Sequence, residues 1–153
     1  MSPRRKRIRK VVDHRAEQLE KTVTELAARR MRELEAAQAL EEQREKRRAA
    51  AEARERLTGA AATVEHWQMA DEWLRTQDAL EHLALNKARI AGHAVEQARV
   101  QVLSARTDLR RIEALDQRLE LEERKQADRA ERRLHDELAA QRFAQASSQR
   151  NDR

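Results

Sequence analysis

The side chains in this chain that could do chemistry are scattered rather than gathered. Its five histidines, His14, His66, His82, His93 and His135, include no pair at i, i+3 or i+4, the spacing with which one helix face holds a metal ion. Cysteine is absent, which removes disulfides and thiolate ligands. There is no His-Glu-x-x-His and no Gly-rich phosphate loop. An enzyme needs a concave site with convergent polar groups, and nothing in the residue spacing supplies one. No catalytic residue, cofactor, metal or small-molecule substrate is expected.

What remains is charge and two tryptophans. Arg4-Arg5-Lys6-Arg7-Ile8-Arg9-Lys10 is basic enough to neutralise phosphates. It could equally meet an acidic protein surface or anionic lipid, and these residues alone do not choose. The rest of the chain is close to balanced, with 33 basic and 28 acidic residues overall, and no aromatic platform for bases accompanies the basic run. Trp67 and Trp73 are the only tryptophans, and Trp is over-represented at interaction hot spots. At 100° per residue two positions six apart cannot share one narrow stripe, so at least one should face outward. The competing reading is that both cover the open end of a helical hairpin.

Such residues need helices to position them, and the composition provides little else. Charged residues are 40% of the chain, against roughly 25% in ordinary domains. The apolar fraction is mostly Ala and Leu, with two Gly and one Pro. Ala, Leu, Glu, Arg, Lys and Gln lose little rotamer freedom in a helix. Disorder is opposed by mixed charge and by apolar periodicity. Too few large apolar residues are present for a multilayer core, whereas a two-helix seam needs only one stripe per helix. The expected fold is all-α, a long antiparallel two-helix coiled-coil hairpin with unequal arms, forming a single domain over residues 1–153. No run of about 18 apolar residues could span a membrane, and no apolar stretch follows the basic segment to make a secretory signal.

Helix 1 should run from about 4 to 57, capped by Ser2 with Pro3 at the first helical position. Its apolar positions are Ile8, Val12, Leu19, Val23, Leu26, Leu34, Ala37 and Leu40. The step of eight from Leu26 to Leu34 implies a discontinuity in the heptad. Ala49, Ala50, Ala51 and Ala53 permit close helix approach. The turn should fall at about 58–62, with Gly59 in the left-handed conformation that closes many helices. One unbroken helix is the competing arrangement, because a lone Gly costs only about 1 kcal/mol, but it would need its whole partner in another chain. Thr63 should cap helix 2, although His66 stands where a capping box wants an acid or amide.

Helix 2 should span about 63–144, longer than helix 1 by about 25 residues and roughly 120 Å long. Val64, Trp67, Ala70 and Leu74 share one stripe, with Met69, Trp73, Leu80 and Leu83 on a neighbouring one. Ile90, Val95, Ala98, Val102, Ala105, Leu109, Ile112 and Leu119 continue the pattern. Gly92 should stay helical within it. The stretch 145–153 has no apolar period and should fray.

The sequence resembles the FliJ/SctO (YscO-like) family of stalk proteins from flagellar and virulence type III secretion. The resemblance covers nearly the whole chain: a basic start, a charged first helix, a short Gly-containing turn and a longer second helix. Glu65-His66-Trp67 followed by Glu72-Trp73-Leu74 is similar to the aromatic pairs that open that family's second helix. The charged run from Glu123 to Phe143, with the step Leu134-His135-Asp136-Glu137-Leu138-Ala139, resembles the family's close. The resemblance implies a non-enzymatic hairpin whose terminal end enters the central hole of a hexameric export ATPase. The loop-side part would reach the cytoplasmic domain of the export gate protein. Export chaperones would be further partners, and the location would be cytoplasmic, peripheral at the inner membrane through the export apparatus. By that resemblance Arg5, Arg7, Arg132, Arg133 and Glu137 belong to the ATPase-facing end, and Trp67, Trp73 and Leu74 to the gate-facing end. No nucleic acid is expected as a partner on this reading. The alternative is a basic coiled-coil protein that binds nucleic acid or self-associates as a scaffold.

Overall fold

A computed structural model describes the backbone of residues 1–151, with side chains as far as residue 144. Two helices make up nearly all of it. Helix α1 spans Pro3–Arg56 and α2 spans Val64–Asn151, with one 3-10 turn at Leu57–Gly59 between them. The all-α hairpin expected from composition and periodicity is what the chain forms. The expected frayed tail from Gln145 falls on residues whose side chains lie outside the described set, and the backbone is helical as far as Asn151.

Helix α1 starts as its sequence directs. The Arg5 amide donates to Ser2 Oγ at 3.2 Å and the Lys6 amide to the Ser2 carbonyl at 3.0 Å. Ser2 is therefore the N-cap, satisfying donors that a helix start leaves unpaired. Pro3 follows at the first helical position, where its missing N–H costs nothing.

The chain divides into two units, Met1–Glu17 with Arg106–Arg153, and Gln18–Ala105. Within each, α1 and α2 run antiparallel. In the first unit Arg5 meets Asp116 and Arg15 meets Asp108. In the second, Arg29 donates to the Ala94 carbonyl at 3.1 Å and Gln43 to Gln77 at 2.6 Å. Arg47 pairs with Asp78 and Arg54 with Asp71.

The second unit shows the seam most clearly. Leu19, Thr22, Leu26, Arg29, Glu33, Ala36 and Leu40 of α1 are buried or half-buried, in alternating steps of three and four. Ala88, Ala91, Val95, Ala98, Val102 and Ala105 of α2 do the same. Leu26, Val95, Ala98 and Val102 form a buried cluster with Leu19 packed on it. The heptad discontinuity expected between Leu26 and Leu34 is absent. Arg29 and Glu33 hold the two seam positions in that interval, while Met31 and Leu34 are 58% and 52% exposed. The long aliphatic stems of Arg and Glu can line a seam and still carry their charges to its edge. In the first unit Leu119 is buried, and Ile8, Val12, Leu109 and Ile112 are half-buried at seam spacing.

The turn is built differently from the expectation. No glycine among the described residues has a positive φ, so Gly59 does not close α1 as a left-handed residue. Instead a 3-10 turn tightens the helix end. The Ala60 amide donates to the Leu57 carbonyl at 3.3 Å, and Thr58 Oγ1 donates to the Glu55 carbonyl. Ala60 then leaves in extended conformation, with φ −113° and ψ 157°. Thr63 caps α2 as expected, and His66 fills the capping-box slot. The His66 amide donates to Thr63 Oγ1 at 3.4 Å, while the Thr63 amide donates to His66 Nδ1 at 3.3 Å. An imidazole nitrogen does the work that a Glu or Gln side chain does elsewhere.

A methyl group placed on Gly59 would meet nothing within 4 Å. Gly59→Ala should therefore leave the thermal midpoint unchanged or raise it, stabilising by about 0.4–1 kcal/mol through the unfolded chain. Thr63→Ala should cost about 1 kcal/mol through the lost cap. Thermal denaturation followed by circular dichroism separates the two outcomes; a marked loss for Gly59→Ala would contradict this account of the turn.

Candidate partner-binding surfaces

The two groups of residues singled out in the sequence lie in different units. Trp67, Trp73 and Leu74 stand in the first turns of α2, in the second unit. Trp67 and Leu74 are seven residues apart, one heptad, and both are half-buried at seam positions. The Arg54 guanidinium lies 5.7 Å from the centre of the Trp67 ring, within reach of a cation–π attraction. Arg54 also pairs with Asp71. Trp67 thus closes the seam next to the turn. Trp73 falls one position before the seam and is 44% exposed. Of the three residues, Trp73 presents the ring that a partner could cover.

The first unit holds a charge cluster that the sequence reading did not isolate. Arg5 Nε donates to Asp116 Oδ1 at 3.1 Å, and Arg5 also reaches Glu120 at 2.8 Å and Glu123 at 3.7 Å. Its side chain is only 13% exposed. The Ser2 amide donates to Glu123 Oε1 at 2.9 Å. One guanidinium and one backbone N–H thus fasten the start of α1 to three carboxylates on consecutive turns of α2. The spacing 116, 120, 123 is the signal in the sequence that could have found them, since residues four and three apart share a helix face.

This arrangement separates the five residues assigned to the charged end. Arg5 is occupied within the chain. Arg7 is exposed. Arg132, Arg133 and Glu137 lie on α2 beyond Glu123, in a stretch where every described side chain from Arg124 to Ala144 is exposed. The start of α1 meets α2 at Glu123, through Ser2 and Arg5. His135 sits 3.8 Å from Glu131, an interaction along the helix surface. No three His, Asp or Glu side chains among the described residues come together as a metal site. No helix among them is long and apolar enough to cross a membrane.

Glu123 ties the clasp to pH. Hydrogen bonds from Ser2, with the Arg5 charge beside them, hold its carboxyl below the usual carboxylate range. A carboxyl lowered in the folded state stabilises above its ordinary value, near 4.3 for Glu, and that contribution is lost as pH falls through the folded value. Hydrogen exchange should therefore show the amides of the first turns of α1 losing protection between about pH 5 and pH 3. Glu123→Gln should weaken that protection already at the higher pH and flatten its pH dependence. An identical profile in the variant would remove Glu123 from the clasp.

Comparison with known proteins adds one finding to this geometry. A family model described as "Flagellar FliJ protein" matches residues 4–148. Comparison with curated proteins found no match, and neither did comparison with solved structures.

Proposed function

The chain belongs to the flagellar FliJ family, and from that premise we propose that it is the central stalk linking the export ATPase to the export gate. The family places it in flagellar, type III protein export. Within that role the chain acts without chemistry of its own. One terminal region enters the hexameric ATPase and the turn region contacts the cytoplasmic domain of the gate protein. Export chaperones are further partners. The protein works in the cytoplasm, held at the inner membrane through the apparatus.

The observation that supports the reading best is the exposed, charged segment of α2 after Glu123. Its described side chains are all exposed, the apolar Leu134 and Leu138 among its many charges included, and a helix face left open in that way suits a partner's contact. Its mixed charges suit reversible contacts inside a ring, where complementarity governs rate and specificity more than raw affinity. Arg7, Arg132, Arg133 and Glu137 carry this ATPase contact. Arg5 contributes indirectly, by fixing the start of α1 against α2, beyond which the exposed segment of α2 continues. At the turn region Trp73 carries the gate contact, and Trp67 and Leu74 hold the helix ends that present it.

Two measurements test the assignment. Arg132→Glu with Arg133→Glu should abolish most of the chain's stimulation of purified export ATPase while helicity stays unchanged, since both side chains are exposed. Unchanged stimulation would remove this segment from the contact. Trp73→Ala should weaken binding to the gate's cytoplasmic domain by about tenfold or more, the scale of a hot-spot aromatic, without lowering the thermal midpoint. Trp67→Ala should do the reverse, lowering the midpoint through the seam.

A further inference from the structure

The second unit has two dissimilar sides. Arg44 reaches Glu81 at 3.7 Å, Arg47 reaches Asp78 and Glu81, and Arg54 reaches Asp71. These ion pairs draw on seam positions and on the positions one step after them. The positions one step before the seam face the opposite side in an antiparallel pair. There, among the described residues, no ion pair joins the two helices. Two adjoining hollows of about 310 and 430 Å³ open instead, and Lys87 lines both.

The floor of this groove carries small apolar residues, Ala36 and Ala39 on α1 and Ala84 and Ala91 on α2, with Gln43 and Arg29 between them. Its wall is a stripe on α2. Leu80, Leu83 and Ile90 stand at spacings of three and seven and are 42%, 57% and 66% exposed. A small floor beside a raised aliphatic stripe is the surface onto which a third helix packs, with its own anchors at i, i+3 or i+4 and i+7. Small residues let the backbones approach, and the exposed aliphatic stripe has no intramolecular cover.

Charge selects the occupant. The groove is lined by four cations, Arg29, Arg32, Lys46 and Lys87, against the carboxylates of Glu25 and Glu42. Arg29 is held by Glu25 at 2.7 Å, whereas no ion pair engages Lys46 or Lys87. A second copy laid groove to groove would set these lysines against themselves, and like charges across an interface are costly. The chain's net charge of +5 adds to that repulsion. We propose that the groove docks an amphipathic α-helix of another protein, apolar on one face and flanked by Asp or Glu. This surface is separate from the ATPase and gate contacts and does not depend on them.

The test uses the full chain and two synthetic helical peptides with identical leucine anchors, one flanked by Glu and one by Lys, titrated by calorimetry. The Glu-flanked peptide should bind about tenfold or more tightly than its Lys-flanked counterpart. Leu83→Glu should weaken its binding by at least about tenfold, and Lys87→Glu should erase the preference between the peptides. Val100→Glu, an exposed apolar site outside the groove, should leave binding unchanged. Circular dichroism of Leu83→Glu should match the parent chain. Equal binding of both peptides, or binding indifferent to Leu83→Glu, would overturn the proposal. So would sedimentation showing a dimer of the chain that Leu83→Glu dissolves, since a second copy would then own the groove.

Discussion

A pair of helices can bury only one stripe from each, and that stripe must return every three and a half residues to keep facing its neighbour. Most of the properties of this chain follow from that constraint. The seam in the second unit is thin, with Ala36, Ala88, Ala91 and Ala98 taking places that a globular core would fill with larger side chains. Each layer of such a seam contributes little apolar area, so the pairing depends on many layers in unbroken order. Polar residues at the seam then serve order rather than strength. Gln43 donates to Gln77, and Arg29 donates to the Ala94 carbonyl; a shift of register would leave these groups without partners. Polar seam residues that fix register at some expense of stability are a known device of coiled coils.

The same constraint explains which parts of the fold could be read in the sequence. Helix content and the two N-caps were legible, because they rest on local preference. Ser2, Pro3 and Thr63 act where their chemistry suggests. The heptad between Leu26 and Leu34 was not legible. Hydrophobicity marks the seam only where the seam is hydrophobic, and here Arg29 and Glu33 hold it while Leu34 and Met31 face outward. Gly59 misled for a different reason. A glycine near a helix end permits a left-handed closure but does not require one, and the 3-10 turn satisfies the same carbonyls with the help of Thr58.

At the candidate site, the part set by helix phase was half readable. Six residues of separation were enough to place Trp67 and Trp73 on different faces, but not to decide which one faced out; the partner helix decides that. Arg5 shows a second limit. In the sequence it is one cation in a basic run, indistinguishable from Arg7. Only the pairing of α1 with α2 brings Asp116, Glu120 and Glu123 around it, residues more than a hundred positions away. The function itself was carried by resemblance and by the family match, since residue spacing in a long coiled coil can exclude a pocket but cannot name a partner.

The clasp and the bare helix are two sides of one arrangement. Antiparallel arms of unequal length must leave part of the longer one uncovered, and something must decide where cover stops. Three carboxylates within two turns of α2 would repel one another if left unpaired. The Arg5 guanidinium and the Ser2 amide neutralise that cluster from the first turn of α1. The basic residues around Arg5 oppose the helix dipole there, so the start of α1 is weak by itself and gains its order from α2. Seam packing near this point rests on Leu119, with Ile8 and Val12 only half-buried. The start of α1 is therefore held to α2 by the charged clasp as well as by Leu119. A helix end held that way responds to protonation and to other charged groups, whereas the apolar layers around Val95 and Val102 do not.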